Sequence, residues 1–170
     1  MPDVASIGIG GGTIVDTQSL KIGPRSVGHL LQEEALVFGG KNLTLTDIAV
    51  ASGMVDLGEK SLVDGLPAQV IQEVVERMHQ QLSETVDSMK TDAQETPLLV
   101  VGGGEMLCPR EMDGIDNVLQ VGHASVANAV GAAVAQISGE VDQVFQGMSR
   151  EELLELATKI VTERAIASGA

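Results

Sequence analysis

The chain has 170 residues, a net charge of −14 and two aromatic residues, Phe38 and Phe145. That charge opposes a phosphate-backbone partner, which needs clustered Lys and Arg, and two phenylalanines build no stacking platform for single-stranded nucleic acid. A lone cysteine, Cys108, excludes an internal disulfide and a multi-thiolate metal site and fits a reducing compartment. The hydrophobic content of 44% is that of a folding chain, and one of this length buries about 70% of its unfolded surface. No apolar run approaches the ~20 residues of a membrane span. The N-terminus carries Asp3 and no basic cluster, so it does not read as a secretory signal. The expectation is a soluble, cytoplasmic chain with neither a nucleic acid nor a membrane as partner.

Val4 to Ile9 reads as a short strand, followed by a glycine turn, a β-branched stretch Thr13 to Val15 and a third β-like stretch Ser19 to Ile22. Residues 25–36 read as helical or irregular. Ile48 to Ala51 starts a short helix that ends at Gly53. From Pro67 to Met89 the pattern is plain: Leu66, Val70, Val74, Met78, Leu82 and Val86 form an i, i+4 ladder, with Ile71, Val75 and Met89 beside it. That periodicity predicts an amphipathic helix with Pro67 in its first turn. Polar residues 90–96 predict a loop. Leu98 to Val101 predicts a strand buried on both faces, and Val118 to Val121 a neighbouring strand. Ala124 to Ala135, apolar almost all round, predicts a buried helix. Ile137 to Phe145 reads as strand or loop. Ser149 and Glu152 form an S-x-x-E capping box ahead of a closing helix with Leu153, Leu156, Ala157, Ile160 and Arg164 on one side. Strands alternating with helices predict an α/β fold with part of its sheet parallel.

Glycine clusters carry the chemistry most directly. In Ser6-Ile7-Gly8-Ile9-Gly10-Gly11-Gly12-Thr13, successive backbone N–H groups without side chains can converge on an anion, and Thr13 adds a hydroxyl. The residues after Thr13 read as strand, so the turn is neither a Rossmann nor a Walker loop. A tight hairpin without a ligand is the competing reading. In Val101-Gly102-Gly103-Gly104-Glu105 the glycines end a strand, where open α/β sheets bind ligands. They can lie flat against a base or ribose, and Glu105 can accept from a hydroxyl; an ordinary strand-to-helix turn is the alternative. Asp47 and His123 are the catalytic candidates. Helix capping within Thr44-Leu45-Thr46-Asp47 also accounts for Asp47. His123, in Gly122-His123-Ala124, can carry a proton or simply cap the next helix. His29 and His79 read as surface or helix residues, Cys108 as a small buried residue, and no spacing defines a metal site.

The order and spacing of Ser6–Ile14, Leu20–Gly28, Gly39-Gly40 and Leu43–Asp47 resemble the hydantoinase/oxoprolinase family. Val101–Glu105, His123–Ala132 and the closing Glu163–Ala170 agree with it. The resemblance spans nearly the whole chain. It implies a ribonuclease H-like lobe of the actin-like ATPase fold, with a mixed sheet and flanking helices, over residues 1–170. It further implies ATP-dependent opening of a small cyclic amide, such as a hydantoin or oxoproline ring, with ATP phosphorylating the ring carbonyl oxygen. Gly10, Gly11, Gly12 and Thr13 would then cradle phosphates, and Gly102, Gly103, Gly104 and Glu105 would line the adenosine, with Mg²⁺ accompanying the nucleotide on ligands the sequence leaves unassigned.

Two positions depart from the family. Gly8 stands where many actin-like ATPases carry an acidic residue, and Asp16 is the nearest later carboxylate. His29–Ala35 replaces the family's Pro-Gly-Pro stretch. The resemblance also implies a further N-terminal lobe or second subunit, so the chain is expected to be a fragment that is inactive alone. An ATP-binding regulatory or assembly protein of the same superfamily is the alternative, and a sugar-kinase-type phosphotransferase is a third.

Overall fold

The computed structural model describes residues 3–135 and 137–169. The chain divides into two compact units, Met1–Asn128 and Ala129–Ala170. Ala170, at the end of the expected closing segment, lies outside the described residues.

In the first unit, β1 (Thr13–Asp16) pairs antiparallel with β2 (Lys21–Ser26). Asp16 shapes their connection: its carboxylate accepts from the N–H groups of Gln18 and Ser19 at 2.9 and 3.0 Å, the local bonding that makes Asp a turn residue. A four-residue helix α1 (Leu31–Glu34) and a 3₁₀ turn at Leu36–Phe38 lead to α2 (Leu45–Ala51). A capping box fixes the start of α2. Thr44 Oγ1 accepts from Asp47 N, and the Asp47 carboxylate accepts from Thr44 N. Every residue from Leu45 to Val50 is buried, so this short helix is the centre of the unit.

The long helix α3 (Ala68–Met89) comes next, with Pro67 as its N-cap. Its ladder buries Val74 and Met78 against Val15, Leu45, Ile48, Ala49 and Leu107. A smaller cluster of Ala35, Val37, Val50 and Val63 covers the other side of α2. Arg77 Nη1 donates to Leu20 O at 2.8 Å and ties α3 to the hairpin turn.

β3 (Thr96–Val100) and β4 (Ile115–Gln120) then pair in parallel, with Leu99 opposite Leu119. Their crossover contains only a 3₁₀ turn, Glu105–Leu107. Both faces of β3 were expected to be buried, but Leu99 is 57% exposed. A continuous apolar run marks strand propensity and does not say which faces have neighbours. The two strand pairs also remain separate two-stranded sheets, where one mixed sheet was expected. The fold is α/β.

Two further expectations are corrected in these residues. Val4 to Ile9 forms no strand; Val4 is 72% exposed and no described strand pairs with the segment. Ala124 to Ala135 is a 3₁₀ turn (Ala124–Val126) followed by α4 (Ala127–Val134), and α4 buries no residue. Small apolar residues make a helix that can be buried, but burial needs a covering surface.

The second unit holds the end of α4 and α5 (Arg150–Ala167). The capping box of α5 is formed: Ser149 N donates to Glu152 Oε2 at 2.9 Å, and Glu152 N to Ser149 Oγ at 3.3 Å. The N–H group and hydroxyl of Ser149 hold the Glu152 carboxyl below its ordinary value. Ile137–Phe145 has no regular structure, although Arg164 Nη1 bonds the Glu140 carbonyl. No described helix is long and apolar enough to cross a membrane.

Candidate functional site

The first glycine turn is built from carbonyls as much as from amides. Thr13 N donates to Gly10 O at 2.9 Å and closes a four-residue turn. Thr13 Oγ1 accepts from Gly10 N at 3.0 Å and donates to Gly8 O at 3.1 Å. Gly11 O accepts from both Thr46 N and Thr46 Oγ1, and Gly12 O accepts from Val27 N. The turn is thereby fastened to the start of α2 and the end of β2. Among the described residues the Gly11 and Gly12 N–H groups have no acceptor, as expected for the two central residues of such a turn.

Packing explains two of these glycines. A Cβ on Gly11 would lie 2.8 Å from Thr46 Oγ1, and one on Gly12 would lie 3.0 Å from Ser26 Oγ and 3.2 Å from Gly28 N. Gly10 is different: its nearest neighbour would be Thr13 Oγ1 at 3.9 Å. A side chain is therefore excluded by close packing at Gly11, crowded at Gly12, and left room at Gly10.

In the second turn Gly102 is buried at φ +99°, a conformation that glycine adopts without strain, and its N–H donates to Ala124 O at 2.7 Å. Gly103 and Gly104 face open space. Glu105 N and Leu107 N close the turn onto Gly102 O and Gly104 O at 3.1 and 3.0 Å.

An open cleft of about 510 Å³ joins the two turns. Ile9 and Gly10 form one edge, Leu82 and Val86 of α3 supply an apolar floor, and the run Leu98–Glu105 with Leu107, Cys108 and Asn128 forms the rest. Its size lies within the roughly 300–1,000 Å³ of small-molecule sites, and its character is the usual apolar lining with a few polar groups. Gly10, Gly102, Gly103, Gly104 and Glu105 all line it; Gly11, Gly12 and Thr13 do not. Open glycine backbone and an apolar floor suit a flat ring. For a metal ion the fit is poorer: among the described residues no three His, Cys, Asp or Glu side chains are grouped to hold one.

The cleft contains neither catalytic candidate. Asp47 is fully buried at the head of α2. Its Oδ1 accepts from Val37 N at 2.7 Å, and its Oδ2 from Thr44 N and Thr44 Oγ1 at 2.6 and 2.8 Å. This carboxylate joins the α2 cap to the Leu36–Phe38 turn. His123 is exposed in the left-handed region at φ +63°, and its carbonyl accepts from Val126 N. Its backbone, as N-cap residue, starts the 3₁₀ turn.

The N-terminal part carries the family signature. The family model for hydantoinase/oxoprolinase matches residues 1–63. Over those 63 residues the chain is similar to the hydantoinase/oxoprolinase family. The match takes in the first glycine turn, the β1–β2 hairpin, α2 and Asp47. The second glycine turn and His123 lie beyond the hydantoinase/oxoprolinase match. No curated protein and no solved structure matches the chain.

Sequence reasoning missed the floor of the cleft and the role of His79. Leu82 and Val86 were legible as the end of the α3 ladder, but their cover on that side is partial. His79 follows Ile71 and Val75 at intervals of four, which places it in the apolar stripe. It is half-buried, and its Nε2 has no hydrogen-bond partner.

Proposed function

We propose that this chain is part of an ATP-dependent cyclic amide hydrolase of the hydantoinase/oxoprolinase type, within a ribonuclease H-like lobe of the actin-like ATPase fold. The observation that supports this is the meeting of Gly10 and Gly102–Glu105 on one cleft. These turns are 92 residues apart in sequence, so their convergence comes from the fold. In this reading the flat backbone of Gly102–Gly104 receives the adenosine, Glu105 accepts from a hydroxyl, and Gly10 marks the phosphate end. Thr13, Thr46 and Val27 anchor the first turn so that its Gly11 and Gly12 amides keep a fixed direction. Asp47 holds α2 and the turn before it in place, as a positioning residue. When bound, ATP supplies the phosphoryl group that makes ring opening feasible. A second lobe or subunit would supply the other half of the site. The bound state of Asp47 gives the regulatory alternative its specific support, since that side chain is not free to accept a substrate proton.

Titration of the chain with ATP and Mg²⁺, followed by amide NMR shifts, tests the reading. Shifts are expected at Gly10 and Gly102–Glu105, with an affinity weaker than micromolar, because one wall makes part of the contacts. Gly103→Val places a side chain in open space and should abolish the shifts while leaving the fold intact. Unshifted amides at these positions in saturating ATP refute the nucleotide site. For the complete enzyme, ADP release only when a cyclic imide or lactam is present supports hydrolysis; steady release without it favours the regulatory alternative.

A further inference from the structure

The first unit contains a second cavity, of about 530 Å³, which the nucleotide reading does not use. It lies across the Glu105–Cys108 turn from the glycine cleft, and Glu105 and Cys108 line both spaces. Its wall mixes polar and apolar residues, and two polar side chains on it have a nitrogen without a partner among the described residues. His79 Nε2 is buried without a partner; an unsatisfied buried polar atom is costly, and native structures keep few of them. Burial also holds the ring below its ordinary 6.5, against the opposing pull of the Leu107 backbone. Arg110 stands on the rim, and among the described residues its guanidinium makes no ion pair, although Glu111, Asp113 and Asp116 follow on the same loop. Arg110 is exposed, and it is the one Lys or Arg side chain among the described residues that line this cavity.

We infer that this cavity is a second ligand site, for a small organic monocarboxylate whose acid group meets Arg110 and whose polar body lies along the wall formed by His79 and Gln120. A guanidinium fork matches a carboxylate in two parallel hydrogen bonds. A single cation with Glu105 nearby suits one negative charge better than the two of a phosphate. The volume accommodates a molecule of metabolite size. Nothing in this assignment requires the glycine cleft to hold a nucleotide.

Cys108, the only thiol in the chain, lines both this cavity and the glycine cleft, so its alkylation reports a ligand in either, and the Arg110 variant, whose side chain lines only the first of the two, tells them apart. The test is alkylation of the full chain by iodoacetate and by iodoacetamide, followed by intact mass. Both reagents lose iodide as Sγ forms a thioether, but only iodoacetate carries a carboxylate. A net charge of −14 disfavours an anionic reagent unless a local site captures it. The iodoacetate rate should therefore saturate with concentration, while the iodoacetamide rate stays linear. Arg110→Gln should remove the saturation and slow iodoacetate by about tenfold, the equivalent of one lost charge-assisted contact, with iodoacetamide changed less than about twofold. Succinate monoamide should protect Cys108 from iodoacetamide, and succinamide should not; this arm needs no variant. A linear iodoacetate dependence in the native chain, unaltered saturation in Arg110→Gln, or equal protection by the acid and the diamide each overturns the assignment.

Discussion

Replacing Asp47 by Asn separates a carboxylate that holds structure from one held for chemistry. The native group has no solvent exposure and receives three donors, from Val37 N, Thr44 N and Thr44 Oγ1, at 2.6–2.8 Å. An amide retains one acceptor oxygen and turns its NH₂ toward donors at the other end. At least one buried N–H then loses its acceptor, at about 1–3 kcal/mol, and the remaining bonds lose charge assistance. The expected loss is about 2–4 kcal/mol for Asn, and about 3–5 kcal/mol for Ala, which orphans all three donors. A domain this size loses roughly 2–4 °C in Tm per kcal/mol, so the Asn variant should melt on the order of 10 °C lower. The chain has no Trp or Tyr, so far-UV circular dichroism during urea and thermal unfolding is the suitable assay. An Asn variant within about 0.5 kcal/mol of the parent, the range of neutral surface changes, would refute the structural role. Impaired ring opening in such a stable variant would return Asp47 to the chemistry.

Three further outcomes are expected. Gly11→Ala should destabilise by about 1–3 kcal/mol, because its Cβ would press on Thr46 Oγ1 at 2.8 Å; Gly10→Ala should leave urea unfolding unchanged, and equal effects would disprove the packing account. Gly103→Ala should leave stability within about 0.5 kcal/mol of the parent, since nothing lies near its Cβ, while weakening nucleotide shifts at Glu105. The α5 cap should respond to acid. The folded Glu152 carboxyl sits below 4.5, so its contribution is complete above that value and is lost as pH falls through the lower folded one. The Ser149 amide shift should follow this change, and Glu152→Gln should abolish it.

Much of the skeleton was legible. The α3 ladder and the Ser149–Glu152 capping box depend on residues within a few positions of each other, so local chemistry decides them; α2 starts at Leu45 with Thr44 as its cap, three residues before the Ile48 start expected. Glycine was harder to read. Gly11 is excluded from carrying a side chain by Thr46, which lies 35 positions away, and a window around residues 8–13 holds no trace of that contact. The same window suggests a phosphate cradle with equal force. Leu98–Val101 shows the complementary difficulty: its residues favour a strand, but whether both faces are covered depends on elements elsewhere. His79 was hidden by type, since a histidine in an apolar stripe reads as an interruption of the pattern when it can also be a member.

The turn at Glu105–Cys108 is a partition between two chambers. If both spaces hold the ligands proposed for them, a shift of this turn on filling one would be felt in the other. Thermodynamic linkage then imposes symmetry: if the acid in one chamber tightens the nucleotide in the other by some factor, the nucleotide tightens the acid by that same factor. Such a wall, one short turn of chain, would let the backbone alone carry the coupling.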